Sequence, residues 1–175
     1  MSAESGSSLE ERVRRLEDIE AIRYLKARYC DHCDNGYDPD GIAELFTEDG
    51  VWDGGRTFGR REGREAIRRH FQGASGRIAI ARHQVMNPMI DIAPDGHEAT
   101  GQWLLFQPCT DAGAAAEASG AVWLAATYRD HYRKTDGTWL FAETVIDIAF
   151  FTPFEKGWAL EQFLPGREPR PAAAD

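Results

Sequence analysis

Residues 128–143 read YRDHYRKTDGTWLFAE, and this stretch decides the fold. The dipeptide Asp136-Gly137 separates two runs rich in Val, Ile, Thr and aromatic residues, at 120–134 and 138–151. Both turn residues tolerate positive φ, so Asp-Gly between two such runs is typical of a tight β-hairpin. The sequence therefore predicts two long antiparallel strands near the C-terminal end of the chain.

Two further strand-like runs precede this hairpin, near 78–92 and 97–109. Pro94-Asp95-Gly96 separates them and predicts a turn, and the loose segment DAGAAAEASG at 111–120 follows the second run. Four consecutive runs joined in this way predict a meander of antiparallel strands.

The N-terminal part of the chain has a helical period instead. We predict a helix from Leu9 to about Cys33 that ends at Asn35-Gly36, and a short helix from Pro39 through Phe46. Val51–Asp53 predicts a short strand, and Gly63–Phe71 predicts a third helix. This order predicts an α+β fold, with three N-terminal helices packed on one face of a strongly curved, mixed or antiparallel sheet.

Composition divides the chain into three segments. We expect a disordered leader at 1–8, a folded domain at 9–152, and a tail at 153–175 in which 154–163 forms a short covering helix. The helices cover one sheet face only, so we expect strands 120–134 and 138–151 to bury the other in a homodimer or homotrimer.

Charge and hydropathy exclude several classes of partner. The 29 acidic residues outnumber the 20 basic ones, which argues against a nucleic-acid binder, because phosphate contacts need clustered Lys and Arg. No apolar stretch approaches the length of a membrane span, and the start MSAESGSS lacks the apolar core of a signal peptide. The odd number of cysteines fits a reducing compartment, so we expect a cytoplasmic protein.

The stretch RYCDHCDNG at 28–36 contains a C-x-x-C spacing that is typical of redox or metal sites. Cys30 and Cys33 lie near the predicted C-terminal end of a helix, however, where the helix dipole disfavours a thiolate. A structural zinc site would need a second ligand pair, and none is present in the sequence. We therefore interpret the two cysteines as packing residues and expect no metal and no cofactor.

The same stretch supplies Tyr29 and Asp34, and a polar group on the inner face of this helix would point into whatever the sheet encloses. We pair Asp34 with His83, because a carboxylate fixes the tautomer of a histidine and stabilises the imidazolium that forms when it takes a proton. Tyr29 would donate a hydrogen bond to a carbonyl or hydroxyl group. His70 is a weaker candidate, since it ends the third helix, where the dipole favours the cationic form.

Several motifs together resemble the SnoaL-like branch of the nuclear-transport-factor-two-like superfamily. They are LEDIEAIRYLKARYCDHCD, ELFTEDGVWDG, GREAIRRHF, RHQVMNPMIDI, ATGQW and YRDHYRKTDGTWLFAE, and they cover roughly residues 9–152. The resemblance implies a cone-shaped, cystatin-like α+β barrel. It says less about activity, because the fold carries dehydratases, isomerases, cyclases, hydrolases and binding domains.

Within this branch the chain looks most like the bacterial bile-acid dehydratases, with scytalone dehydratase and hexachlorocyclohexane dehydrochlorinase as more distant relatives. The helix Tyr, the Asp five residues later and the strand His of those enzymes fall on Tyr29, Asp34 and His83. Two positions depart from the pattern: Gln107 stands where the dehydratases have an acidic residue, and Asp147 where they have an arginine. The resemblance thus implies proton abstraction, with altered leaving-group and substrate contacts.

We therefore predict a cofactor-independent lyase, dehydratase-like, that acts on a hydrophobic cyclic or polycyclic small molecule. Alternatives are an isomerase or cyclase, a non-catalytic ligand-binding domain, or a subunit that partners a larger oxygenase chain. Apolar and aromatic residues of the strands and loops, with one carboxylate, are the predicted walls of the substrate pocket: Trp52, Phe58, Met86, Met89, Trp103, Phe106, Trp123 and Asp147.

Overall fold

The computed structural model describes residues 8–112 and 120–168. The predicted disordered leader, apart from Ser8, and the last residues of the predicted tail lie outside the described residues. The same holds for 113–119, which is most of the loose segment between two of the predicted strands.

Helices alternate with short strands in the first half of the chain, four long strands follow in succession, and a short helix comes last. The helices are α1 (Leu9–Asp34), α2 (Pro39–Glu44), α3 (Gly55–Phe58), α4 (Arg64–Gln72) and α5 (Gly157–Leu160). The strands are β1 (Phe46–Asp53), β2 (Arg60–Glu62), β3 (Gln84–Ile92), β4 (Glu98–Thr110), β5 (Ala121–Thr135) and β6 (Thr138–Pro153). Among the described helices, none has both the length and the apolar character needed to cross a membrane.

The six strands of the described residues lie in the order β2-β1-β6-β5-β4-β3. All neighbours are antiparallel except β1 and β6, so the sheet is mixed. Thr135 pairs with Thr138 around Asp136-Gly137, which confirms the predicted hairpin. The α+β class and the strongly curved, mixed sheet are confirmed; the sheet is open, with β2 and β3 at its two edges.

Three local predictions in the first half of the chain are wrong. β1 begins at Phe46 rather than at Val51, so the short helix predicted through Phe46 ends earlier, at Glu44; the register of β1 against β6 shifts between Phe46 and Val51. The four-residue helix α3 was not predicted, so four helices rather than three precede the meander. The run predicted from 78 becomes strand only at Gln84, and a positive φ of 50° at Asn87 interrupts its alternation.

The first helix begins at a capping box. Ser8 accepts the backbone N–H of Glu11, and the Glu11 side chain accepts the backbone N–H of Ser8. Residues at three- and four-residue steps along α1 then face the sheet and are buried, which is what fixes one helix face against the core. They are Ile22, Leu25, Lys26, Tyr29, Cys30 and Cys33.

Lys26 is the unexpected member of this buried face. Its ammonium group lies 2.9 Å from Oδ2 of Asp130 on β5, and both side chains are fully shielded from solvent. The same Nζ lies 3.3 Å from the centroid of the Tyr128 ring, and the Tyr132 hydroxyl donates to Oδ2 of Asp130 at 2.8 Å. This buried ion pair joins the middle of α1 to the centre of the sheet.

The outer face of the sheet carries stacked aromatic residues. Phe106 and Trp123 stack with centroids 5.3 Å apart, and Phe154 packs against Trp123 at 5.5 Å.

Association of this face with a second copy of the chain stays a prediction. Sedimentation velocity should give a dimer or trimer that Trp123→Ser weakens, and a monomer at micromolar concentration would contradict it.

Replacing Lys26 by Met should destabilise the fold by about 3–5 kcal/mol, because it leaves the charge of Asp130 buried without its partner. Adding Asp130→Asn should recover part of that loss, since the buried charge is then removed. Urea unfolding measures both values. Arg23→Met on the exposed side of α1, which breaks a surface pair with Glu20, should cost less than about 1 kcal/mol. Equal losses for the Lys26 and Arg23 variants would contradict the assignment.

Candidate active site

A cavity lies between the inner face of the sheet and the helices. Its polar lining residues are Tyr29, Tyr37, His70, Arg77, His83 and Gln107. Its apolar and aromatic walls come from Trp52, Phe58, Phe71, Ala74, Ile78, Leu105, Leu124, Tyr128 and Ile146.

Asp34 and His83 are in direct contact. Nδ1 of His83 lies 2.6 Å from Oδ1 of Asp34, and the backbone N–H of His83 donates to both carboxylate oxygens at 3.0 Å. Asp34 is the last residue of α1, and His83 immediately precedes β3, so the contact joins a helix end to a strand entry. Arg82 adds a hydrogen bond from its guanidinium to the backbone carbonyl of Asp34 at 3.3 Å.

This contact assigns different roles to the two ring nitrogens of His83. A carboxylate accepts hydrogen bonds, so a neutral imidazole places its proton on Nδ1. Nε2 then carries the lone pair, and no group of the described residues hydrogen-bonds to it. The His83 side chain lines the cavity and is only 5% exposed, so a basic nitrogen is shielded from bulk water but open to a ligand.

Tyr29 lies on the same cavity, one turn before the end of α1. The indole N–H of Trp52 donates to the Tyr29 hydroxyl at 2.9 Å. Burial is the main cause that raises the pKa of Tyr29 well above its usual value, with the nearby Cys33 thiol adding to the effect. The phenol therefore stays protonated, and Trp52 holds its oxygen in place while the O–H remains a donor.

Tyr37 was not predicted to contribute to the site, and it lines the cavity together with Gln107, which only the resemblance had placed there. Tyr37 has a φ of 56° just after Gly36, which turns the chain back so that its ring packs edge-on against His83 with centroids 6.1 Å apart. Burial raises the pKa of Tyr37 well above its usual value, and a hydrogen bond from Gln107 opposes this. Gln107 thus supplies a neutral amide where the resemblance implies a carboxyl group.

His70, the weaker candidate from the sequence, also lines the cavity. Its ring packs on Trp52 with centroids 4.6 Å apart. The expectation that the helix dipole favours its cationic form is wrong. Burial, followed by the positive charges of Arg61 and Arg77, lowers its pKa to about 4. His70 is therefore neutral near pH 7.

The cysteines have the environment of packing residues. All three are free and buried. Burial raises the pKa of Cys30 and of Cys109 to about 12, and it raises that of Cys33 well above its usual value. A thiol with such a pKa supplies almost no thiolate near neutral pH, so redox chemistry at C-x-x-C is disfavoured.

Of the predicted pocket walls, the structure places Trp52 and Phe58 on the cavity and the others away from it. Trp103 is buried deeper in the core, where its indole donates to the Tyr132 hydroxyl at 3.0 Å. The rest lie on other surfaces, because strand alternation turns them outward or, for Met89, because the bulge at Asn87 breaks the alternation. These outward residues are Met86, Met89, Phe106, Trp123 and the exposed Asp147, which pairs with Arg129.

Comparison with known proteins identifies the chain at the level of family and fold. Residues 14–145 match the family model described as the SnoaL-like domain, which is more than half of the chain. Comparison with curated proteins finds no match.

Solved structures with a similar fold include enzymes and proteins named only by their fold. A candidate scytalone dehydratase from Novosphingobium aromaticivorans is 23% identical, with a TM-score of 0.72 over 82% of this chain and 91% of that one. A hexachlorocyclohexane dehydrochlorinase from Novosphingobium barchaimii is 19% identical, with a TM-score of 0.71 over 82% and 94%. A nuclear-transport-factor-two-like protein with a cystatin-like fold, also from N. aromaticivorans, is 23% identical, with a TM-score of 0.64 over 91% and 96%. These likenesses confirm the predicted cystatin-like fold.

His70 should make the fold less stable in acid. Its pKa is about 4 in the folded protein and about 6.5 in the unfolded chain, so the unfolded chain binds more protons between these values. Stability should fall as the pH drops from about 6.5 to about 4, and His70→Gln should lose less of it. Melting temperatures across this range measure the difference. Parallel pH curves for the two proteins would contradict the burial of a neutral His70.

Proposed function

Because the chain belongs to the SnoaL-like domain family, we propose that it is a cofactor-independent lyase that removes a proton from a hydrophobic ring compound and eliminates a leaving group. One observation carries this proposal: a histidine bound through Nδ1 to a carboxylate lines a largely apolar cavity, with a buried tyrosine on the same cavity.

His83 is the proposed base. Its Nε2 takes the proton from a carbon of the ring compound, and the imidazolium that forms is stabilised by Asp34 at 2.6 Å. The backbone N–H of His83 donates to both carboxylate oxygens of Asp34, and the guanidinium of Arg82 donates to the backbone carbonyl of the same residue. These contacts hold the carboxylate in place, so Asp34 can keep the ring oriented while the charge on His83 changes.

Tyr29 is the proposed hydrogen-bond donor. A carbon loses a proton more easily when the negative charge spreads onto a neighbouring carbonyl oxygen, and a fixed O–H donor stabilises that oxygen. The raised pKa of Tyr29 keeps this O–H protonated, and Trp52 fixes its position. Tyr37 and Gln107 add neutral polar contacts beside His83.

The proposed elimination needs no reactant besides the substrate, because the proton that His83 takes up leaves again with the hydroxyl group. The electrons of the broken C–H bond form a C=C bond as the C–O bond to a hydroxyl group breaks. The departing hydroxyl takes the proton back from Nε2 and leaves as water, so His83 returns to its neutral form. Two similar structures are described as a candidate scytalone dehydratase and a hexachlorocyclohexane dehydrochlorinase, names that denote eliminations and support this reaction class.

An isomerase is the second candidate, and Gln107 favours it. Among the described lining residues there is no carboxyl group that could serve as a separate acid for the leaving group. A single base that returns the proton to another carbon of the same molecule would move a double bond without any elimination.

Loss of the base should abolish proton abstraction. Exchange of the acidic C–H protons of 2-tetralone, a bicyclic ketone, into D₂O is the measurement, followed by ¹H NMR. His83→Ala should slow the catalysed exchange by about 10²–10⁴-fold, the usual contribution of a general base. Asp34→Asn should also slow it strongly, because the ring loses its orientation and the stabilisation of its charge.

His97→Ala is the matched control, because His97 is exposed on the turn between β3 and β4 and does not line the cavity. Its exchange rate should equal that of the unmodified protein. Exchange at the unmodified rate in both the His83 and the Asp34 variants would contradict the proposed base.

A further inference from the structure

One permanently charged side chain lines the cavity among the described residues, and it is Arg77. Arg77 is exposed to solvent while it also lines the cavity, so it lies at the rim. It follows α4 in the segment that leads to β3. Apart from Arg77 and the His83–Asp34 pair, the described residues that line the cavity are uncharged. The charge of Arg77 therefore distinguishes the mouth of the cavity from the interior, where His83 lies.

Arg77 has no carboxylate partner within ion-pair distance in the described part of the chain, although acidic residues outnumber basic ones in the protein. Asp111, which follows β4, pairs with Arg167 at 3.1 Å. Within the described ranges Arg77 is held through its backbone: its N–H donates to the Ala74 carbonyl, and its own carbonyl accepts the N–H of Ala112. The guanidinium is therefore available to a ligand at the mouth.

The positive charge of Arg77 affects the pKa of His70, a residue that lines the cavity. Arg77 and Arg61 both lower the pKa of His70, which places two positive charges close to a cavity-lining ring. Arg61 also has no ion pair in residues 8–112 and 120–168; one of its guanidinium nitrogens donates to the Arg60 carbonyl at 2.7 Å. The mouth beside His70 is thus electropositive in a protein with a net charge of -9.

We propose that the cavity takes ring compounds bearing a carboxylate, with the ring on the apolar walls and the carboxylate at the mouth on Arg77. The planar guanidinium fork matches a carboxylate in two parallel hydrogen bonds, and forming them breaks no ion pair among residues 8–112 and 120–168. The neutral His70 ring beside it adds a donor or acceptor without repelling the anion.

This orientation deepens the proposed function and rests on it for its chemical meaning. With the carboxylate held at the mouth, the far side of the ring is the part that reaches His83. The carboxylate would therefore contribute to binding and not to the reaction, and the carbon that loses its proton would lie away from it. Arg77 acts as a specificity residue under this arrangement.

The experiment compares two probes of the same shape, naphthalene-2-carboxylate and naphthalene-2-carboxamide, by isothermal titration calorimetry. The carboxylate should bind about three- to tenfold more tightly, because an exposed charge pair contributes modestly. The preference should shrink as salt is added, since mobile ions screen it. Binding of the carboxylate should also raise the pKa of His70, read from its ring protons by NMR, and the amide should not.

Arg77→Met should remove the preference for the carboxylate and leave amide binding within twofold. Arg69→Met is the matched control, because Arg69 lies on α4, is exposed, and pairs with Glu65 away from the cavity. It should change neither affinity.

Equal binding of both probes, no saturable binding of the carboxylate, or equal losses in the Arg77 and Arg69 variants would overturn the inference. Binding involves no proton transfer, so these outcomes are separate from the exchange assay. A carboxylate preference lost only with Arg77 supports the ligand class even if His83 proves not to be the base. Active exchange on the neutral 2-tetralone without any carboxylate preference would overturn the ligand class alone.

Discussion

The setting of α1 on the sheet depends on the ion pair between Lys26 and Asp130, in which both side chains are fully shielded from solvent. Burying two charges costs solvation energy that their attraction only partly returns, and Oδ1 of Asp130 has no hydrogen-bond partner among the described residues. A matched pair of apolar side chains could hold the helix at lower cost. What the pair adds is a fixed rotation of α1, because the ammonium group must meet one carboxylate and lie on the Tyr128 ring.

That rotation determines which residues of α1 reach the cavity. Tyr29 comes one turn after Lys26 on the same face and meets Trp52 across the cavity. Asp34, at the end of the helix, meets both the backbone and the ring of His83. The helix is thus held at its centre by a buried charge and at its end by the carboxylate that orients the proposed base. The fold and the site share these contacts, so a change in the packing of α1 would also move the groups of the site.

The sequence predicted the parts of this structure that depend on local chemistry. Asp136-Gly137 specified the hairpin, and Asn35-Gly36 specified the end of α1. What it missed depends on geometry between distant segments. Strand alternation alone shows that Phe106 cannot face the same side as Trp103, and that Gln107 shares the inner face with Trp103 and Leu105. Applying that parity would have moved Phe106 out of the predicted pocket and Gln107 into it. The positive φ of Tyr37, the bulge at Asn87 and the burial of His70 carry no comparable local signal.

The central claim is that Asp34 leaves Nε2 of His83 as the basic nitrogen on the cavity. The most direct test is the tautomer of the neutral His83 ring, read from a long-range ¹H–¹⁵N correlation spectrum of the histidine-labelled protein. The account predicts that the ring proton is on Nδ1, where Asp34 accepts it at 2.6 Å, and that Nε2 is unprotonated. A ring proton on Nε2 would contradict the account, because no basic nitrogen of His83 would then face the cavity.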